Sequence, residues 1–549
     1  MNQLIRCVLI TVTGSALVFT SFCTFKKKTD LLLVASKVYT LTESAPAAEA
    51  VAIDKGKVLA TGSRINLLSR FHPDCIIEVK QGFIYPGFID SHCHFYGFAR
   101  SLQWVDLTAS TSFEEVLARI SIERTGETSW LIGRGWDQNL WVPSAFPARE
   151  RLDLLFPDIP VVLVRIDGHV VLANQAALDR AGIGINHRFS KGEVEVVDGK
   201  LTGILSENAA DYIRSFIPKP SIEQLTGLLQ KAQHKCFSAG ITGVSDAGLT
   251  YETICLFDSL QQAGILKVRI YAMLEPSHDN IRNFILRGPY ITDRMVVRSV
   301  KLYADGSLGS RTALLKKPYS DDPLKTGILV TSPDSIREIC RMAFDHGYQV
   351  NTHCIGDSAN RIVLEIYREF LQGKNDRRWR IEHAQVVDVA DLHMFGDLSV
   401  LPSVQATHAT SDMTWAMNRL GPERIKQAYA YHDLLEQNGW LTNGTDFPIE
   451  KIYPILTFYA SVARKDAEGN PPGGFLPENA FSREEALKSI TLWAARANFE
   501  EDRCGSLEEG KWADLVILDR DLMEIPVQEI PKINVIQTYS HGERVFPLP

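Results

Sequence analysis

Two histidines, His92 and His94, close the apolar run GFIYPGFIDSHCH from Gly82 to His94. A run of this kind suits a buried parallel strand. Successive strand side chains point to opposite faces, so the two imidazoles project from one face while Cys93 turns away. Two convergent imidazoles can hold a metal ion. They can equally be two satisfied core or surface histidines, so the reading depends on whether the rest of the chain supplies further ligands.

Behind that run, apolar segments recur with helix-length stretches between them, the pattern of βα units on a parallel sheet. After the segment ending at His94 come Ile241 to Asp246, Leu266 to Leu274, Val297 to Tyr303, Tyr348 to His353, Trp379 to His383, Ser399 to Gln405 and Trp440 to Asp446. Eight parallel strands predict a (β/α)8 TIM barrel, whose reactive groups sit at the C-terminal strand ends. Those ends carry His92 and His94, Lys301, His353, His383 and Asp446. Turn or loop signals such as Asp305-Gly306, Gly356-Asp357 and Phe447-Pro448 follow them closely. A titratable residue finishing an apolar strand is costly unless it is paired or bound to metal. One such residue would mean little, but five strand ends of one barrel doing so together predict a metal site.

The remaining segments must hold this barrel. Leu31 to Thr40 and Ala50 to Ala60 alternate in polarity, with Lys55-Gly56 as a turn, and the same texture returns in Ala513 to Leu518, Val535 to Tyr539 and Glu543 to Phe546. Short antiparallel strands are expected there. The fold class is therefore read as α/β: a TIM barrel over 86–496, with a small β-sandwich domain built from both chain ends, 29–85 and 497–549. The stretch from about Ala99 to Lys235 is too long for one strand-to-strand connection. It is read as an insertion, 99–235, beside the barrel mouth and a candidate lid or substrate wall.

Composition excludes other classes. Hydrophobic content of 45% and charged content of 23% describe an ordinary globular protein, and a net charge of -8 leaves no basic footprint for nucleic acid. The nine cysteines show no CxxC and no regular spacing, so neither a disulfide scaffold nor a cysteine-rich zinc module is expected. The N-terminus differs from the rest: Arg6 precedes an apolar stretch from Cys7 to Phe25, and Lys26, Lys27 and Lys28 follow it. Segment 1–28 is read as an export signal or membrane segment, giving an exported protein, periplasmic or membrane-anchored. Cys23, preceded by Thr20 and Ser21, resembles a bacterial lipoprotein attachment site, with Phe22 where a small residue is expected. A small-molecule substrate is expected, and a homo-oligomer is compatible with the sequence.

Taken together, PGFIDSHCH at Pro86 to His94 and the positions Lys301, His353, His383 and Asp446 resemble the amidohydrolase superfamily over the whole chain after the signal. KLYADGSLGSRTA from Lys301, HCIGDSAN from His353, RIEHAQ from Arg380 and NGTDFP from Asn443 are similar to the branch that includes N-substituted formamide deformylases and related exported hydrolases. The resemblance implies two divalent ions: His92, His94 and Asp446 on one, His353 and His383 on the other, and carboxylated Lys301 bridging them. A mononuclear deaminase would place a glutamate three residues after the fifth-strand histidine, where this chain has Gly356. Zinc suits imidazole and carboxylate donors, with iron, manganese and nickel as alternatives. The implied reaction is hydrolysis of a C–N bond, amide or formamide-like, by a metal-activated water, with Asp446 as ligand and catalytic proton shuttle. Ester or lactone hydrolysis at the same site, or a catalytically silent binding protein, are the competing readings. His169, Trp136 and Asp137 match patches that the family carries near its pocket and are taken as substrate-binding candidates. Asp305 and Arg311 join them, with Glu207 behind.

Overall fold

The structure is a computed structural model, and it describes residues 26–122, 130–190 and 192–548. The export and lipidation expectations, which rest on the apolar stretch and Cys23, lie outside the described residues.

All eight expected strands form: β1 (Phe88–Cys93), β2 (Ile241–Leu249), β3 (Arg269–Leu274), β4 (Met295–Tyr303), β5 (Gln349–Cys354), β6 (Arg380–His383), β7 (Leu401–Val404) and β8 (Thr442–Asn443). They are hydrogen-bonded in that sequential order and every adjacent pair is parallel, as right-handed βα crossovers require. The barrel closes just beyond β8, where the Asp446 N–H donates to the His92 carbonyl (2.8 Å) and the His94 N–H to that of Phe447 (2.9 Å). Asp90 pins this seam. Its carboxylate accepts from Thr445 Oγ1 (2.6 Å), the Thr445 N–H (3.1 Å) and the His92 N–H (3.2 Å). Gly444 is required there, because a Cβ would lie 2.6 Å from the His92 nitrogen and 2.8 Å from Asp90 Oδ1.

The Gly82–His94 run is not one strand. Its first half ends the long strand Phe71–Pro86, which belongs to another sheet, and only Phe88–Cys93 enters the barrel. The change of sheet falls at Gly87, where a Cβ would collide with the Thr242 side chain.

The two chain ends join in one seven-stranded sheet. Leu515–Leu518 runs antiparallel to the end of Phe71–Pro86, pairing Ile517 with Ile84, and Lys27–Tyr39 lies parallel on the other side. The strand from Lys27 therefore starts within the segment read as signal. Lys55 (φ 50°) and Gly56 (φ 76°) both turn left-handed, which is the hairpin turn that their types predict. Leu33, Val51, Ile53 and Ile517 bury on one face, and Tyr85, Val516 and Leu518 pack into the barrel's core.

The insertion is a layered α/β unit on a six-stranded sheet that includes Leu131–Trp136, Val161–Arg165, Val170–Ala173 and Lys200–Ser206. Its strands are apolar on both faces: Leu131, Val161 and Leu163 feed one cluster, and Ile132, Val162 and Val164 the other. The unit ends earlier than expected. Ile222–Ser238, capped by a Ser221–Gln224 capping box, buries Leu225, Leu229, Ala232 and Cys236 in the barrel core and is the helix leading into β2.

Candidate metal centre

Alternation along β1 sends Asp90 and His92 into the barrel, and the same parity brings Lys301, His353, Arg380 and Glu382 inward from β4, β5 and β6. His383, next after Glu382, would by that rule face outward. Its φ of 73° breaks the extended backbone and turns the imidazole back to the mouth, and Asp446 sits at φ 58° just beyond β8. Left-handed conformations at non-glycine residues cost roughly 1–3 kcal/mol each and cluster at functional sites.

The result is a tight group of donors. Ligand atoms of His92, His383 and Asp446 lie within 4.8 Å of one another. His94 Nε2 is 3.2 Å and His92 Nε2 3.6 Å from Asp446 Oδ1, while Lys301 Nζ is 3.4 Å from His92 Nε2. The rings of His353 and His383 meet edge to face at 4.5 Å, so all six residues named from the strand ends converge.

Behind these donors stand partners that fix their protons. Glu382 Oε2 accepts from His92 Nδ1 at 2.5 Å, and Gln405 Oε1 from His383 Nδ1 at 2.6 Å. Both rings thereby keep Nε2 for the centre, the arrangement that orients metal-bound histidines. Burial lowers His92, His353 and His383 below the usual imidazole range, with the neighbouring Lys301 adding to the effect in His92 and His353. Burial likewise pushes the Lys301 amine down toward its neutral form. Burial opposes the charge on Asp446, but His408, His94 and His92 outweigh it and hold the carboxyl well below the ordinary range. His408 links Asp446 Oδ2 (3.3 Å) to Glu450 Oε1 (3.1 Å), and these acids push it up to about 10 against its burial.

These features fit a metal. Burial keeps the His92, His353 and His383 imidazoles toward their neutral form, the Asp446 carboxyl is held charged, and Asp446 Oδ1, 3.2 Å from His94 Nε2, receives no well-formed hydrogen bond among the described residues. Asn351, the register partner of Lys301, likewise has both amide atoms buried and unpartnered among the described residues. Polar atoms of this kind are expected to meet a ligand, an ion or water.

The centre opens into a cavity of about 830 Å³ between barrel and insertion, walled by Trp104, Leu140 and His169 on one side and Leu308, Trp415 and Phe447 on the other. Of the substrate-binding candidates, His169 and Asp137 line it. His169 faces His353 (5.6 Å between rings) and pairs through Nδ1 with Glu207 (3.0 Å), which pushes it up to about 9 against its burial. Asp137 is tied to the buried Arg165 at 2.6 Å.

The other three lie off the wall. Trp136 is only 1% exposed, packs against Trp141 and Phe146 in the insertion core, and donates Nε1–H to the Leu163 carbonyl. Asp305 uses its carboxylate to receive the N–H groups of Leu314, Ile355 and Gly356, so it shapes the loops after β4 and β5. Arg311 is paired with Asp321 away from the cavity.

Glu382 and Gln405 were not singled out by sequence reasoning. Glu382 carries a signal: an acid inside the apolar strand WRIEH can only be accommodated by a buried partner. Gln405 carries none beyond its place at the end of β7.

A parallel (β/α)8 barrel with a histidine, lysine and aspartate centre at its C-terminal mouth defines a metal-dependent hydrolase architecture. The profile described as "Amidohydrolase family" matches residues 76–546, and the chain belongs to that family. It is 31% identical to YtcJ of Bacillus subtilis (strain 168) over 524 residues, covering 93% of this chain and 98% of the relative. It is 24% identical to the N-substituted formamide deformylase of Arthrobacter pascens, covering 93% and 97%. The structure of an uncharacterized metal-dependent hydrolase from Pyrococcus horikoshii OT3 superposes with a TM-score of 0.74 at 30% identity, covering 90% of this chain and 99% of that one.

Proposed function

We propose that this protein hydrolyses a C–N bond, amide or formamide-like, in a small organic substrate with the help of two divalent ions, zinc in the first instance. The observation that carries the reading is the convergence of His92, His383 and Asp446 within 4.8 Å, with the proton of each imidazole committed to Glu382 or Gln405. His92, His94 and Asp446 would hold one ion, His353 and His383 the other, and Lys301, as a carbamate, would join them. Such ions polarise a carbonyl and make a water nucleophilic near neutral pH.

The chain's own groups do the remaining work. Asp446 has Oδ2 engaged by His408, so Oδ1 is the oxygen turned to the centre and the one placed to take a proton and return it to the leaving nitrogen. Glu382 and Gln405 hold the rings in place. The insertion walls one side of the cavity. The formamide deformylase relative supports a C–N substrate, and the N-terminal apolar stretch supports export, with Cys23 as a candidate lipid anchor.

Metal analysis of the purified protein, followed by assay against matched amides, formamides, dipeptides, esters and lactones, tests the reading. Two equivalents of transition metal and preferential amide or formamide turnover are expected. A protein without metal, or one that turns over only lactones or esters, would overturn it.

A further inference from the structure

On the insertion's side of the cavity wall, the guanidinium of Arg134 has no carboxylate partner among the described residues. Arg134 projects from Leu131–Trp136 of the insertion and lines the cavity. It is held in place by its neighbours: a Cβ at Gly133 would collide with Leu107 Cδ1 (2.7 Å), and one at Gly135 (φ 111°) with the Thr108 backbone nitrogen (2.8 Å). The strand therefore lies flush against 107–108, and Arg134 cannot be displaced without moving both.

The guanidinium rests on the turn Ile166 to His169. One amine donates to the Ile166 carbonyl (3.1 Å), and the other lies beside Gly168, 3.7 Å from where a Cβ would stand. The next residue, His169, faces the His353 ring. Among the described residues no carboxylate lies within ion-pair distance of Arg134, and its Nε is buried without an acceptor. Asp167, the nearest acid in the turn, is spent elsewhere: it accepts from Arg165 (2.6 Å), Ser307 Oγ (2.7 Å), Ser310 Oγ and the His169 N–H (3.1 Å). The other guanidinium nearby, Arg214, donates to the Gly168 carbonyl (2.9 Å) and pairs with Asp211. Arg165 on the same wall is satisfied by Asp137, Asp167 and Gln138. Burial pushes Arg134 down only to about 10, so it stays charged at neutral pH.

A buried guanidinium nitrogen without an acceptor is costly unless an anion or water meets the group, and its planar fork matches a carboxylate. We propose that Arg134 is the anion-binding subsite of this cavity and that the substrate is an amide bearing a carboxylate, seated on Arg134 while its carbonyl faces the strand-end centre. This inference rests on the hydrolase reading above, so its test uses ligands that are not hydrolysed.

The probes are 3-benzoylpropanoate, a ketone without a scissile amide, and 1-phenylpentane-1,4-dione, the neutral methyl ketone of equal size, which has no hydrolysable bond either. Binding to the intact metal-loaded protein is measured by calorimetry. The carboxylate should bind more tightly than the diketone, and Arg134→Gln should weaken it about 10- to 100-fold, the range for one charged hydrogen-bonded pair, while shifting the diketone less than threefold. Arg134→Lys should recover part of the loss, since charge remains and the fork does not. A carboxylate that binds no better than the diketone in the wild type overturns the proposal. So does a preference that survives in Arg134→Gln, which would mean that the carboxylate sits on the metals, and so does an equal loss for both ligands, which would make Arg134 structural. None of these readings needs turnover, so a failed substrate panel would count against the hydrolase reading alone.

Discussion

His92 and Glu382, 290 positions apart in the chain, meet inside the barrel with Nδ1 and Oε2 2.5 Å from each other. Burial opposes the charged form of Glu382, yet the His92 contact keeps its carboxyl below the usual range. His92 stays neutral and donates Nδ1–H, which leaves Nε2 as its ligand atom. Glu382→Gln keeps the size and removes the charge. Metal affinity should fall roughly 10- to 100-fold, as is usual for loss of a carboxylate behind a metal-bound histidine. Metal competition with a chelator, read beside unchanged circular dichroism, checks this. Unchanged affinity would mean that Glu382 serves only to fill the barrel.

The insertion meets the barrel through a charge cluster organised by the buried Arg165. Arg165, 2% exposed, bridges Asp137 and Asp167, and Asp167 reaches across to Ser307 and Ser310 in the loop after β4. Arg165→Met leaves two carboxylates without their partner, and breaking a buried pair in this way costs about 3–5 kcal/mol. Hydrogen exchange should accelerate in 131–173 and 305–312, with the terminal sheet unaffected. Acceleration spread evenly over the molecule would contradict a local clamp.

The terminal sheet has its own pH sensitivity. His541 stacks on Trp512 (ring centroids 4.0 Å apart, 5° between planes), and its Nε2 is buried without a partner among the described residues. Burial, reinforced by nearby arginines and only partly offset by Asp514, lowers it to about 3. The folded value is below the unfolded one of about 6.5, so the unfolded chain binds the extra proton in between. This contribution is fully present above about pH 6.5 and is lost as pH falls toward 3, on the order of 1–2 kcal/mol by pH 5. His541→Phe keeps the stack and removes the proton site. The drop in thermal midpoint between pH 7.5 and pH 5 should be smaller in the variant than in the wild type; equal drops would reject the assignment.

Much of the barrel is legible because its strands are short apolar runs, each stopped by a polar group that water or metal must satisfy. His92 and His94 follow from strand alternation alone. His383 does not: alternation sends it outward, and only its left-handed backbone, invisible in the residue type, brings it in beside Glu382. A related limit explains Trp136 and Asp137. They are adjacent in one motif, but Trp136 goes to the core of the insertion and Asp137 to the cavity, because Gly135 (φ 111°) and the register shift between Arg134 and Trp136 break the strand's parity just before them. The helix Ile222–Ser238 was hidden for another reason, since an amphipathic helix at the edge of an insertion looks the same whichever body it packs on. Gly87 divides an unbroken apolar run between two sheets, and hydropathy carries no mark of that division.

Asp446 is the position on which the proposed mechanism turns. Its carboxylate lies at the barrel seam, with Oδ1 3.2 Å from His94 Nε2 and 3.6 Å from His92 Nε2, and Oδ2 held by His408. Among the residues proposed as ligands it alone offers a carboxylate oxygen able to take and return a proton. Asp446→Asn keeps the shape and removes the basic oxygen, so turnover should fall about 10²- to 10⁴-fold, the usual loss for a general acid-base group, with a smaller fall in metal content. Lys301→Ala should behave in the opposite way, losing metal first. Acetate or bicarbonate should then restore part of the activity by occupying the space of the missing carbamate. Metal content and kcat measured together for both variants separate the two roles. An Asp446→Asn protein with near wild-type kcat would move the proton transfer to His408 or His169, two cavity-lining groups beside the centre.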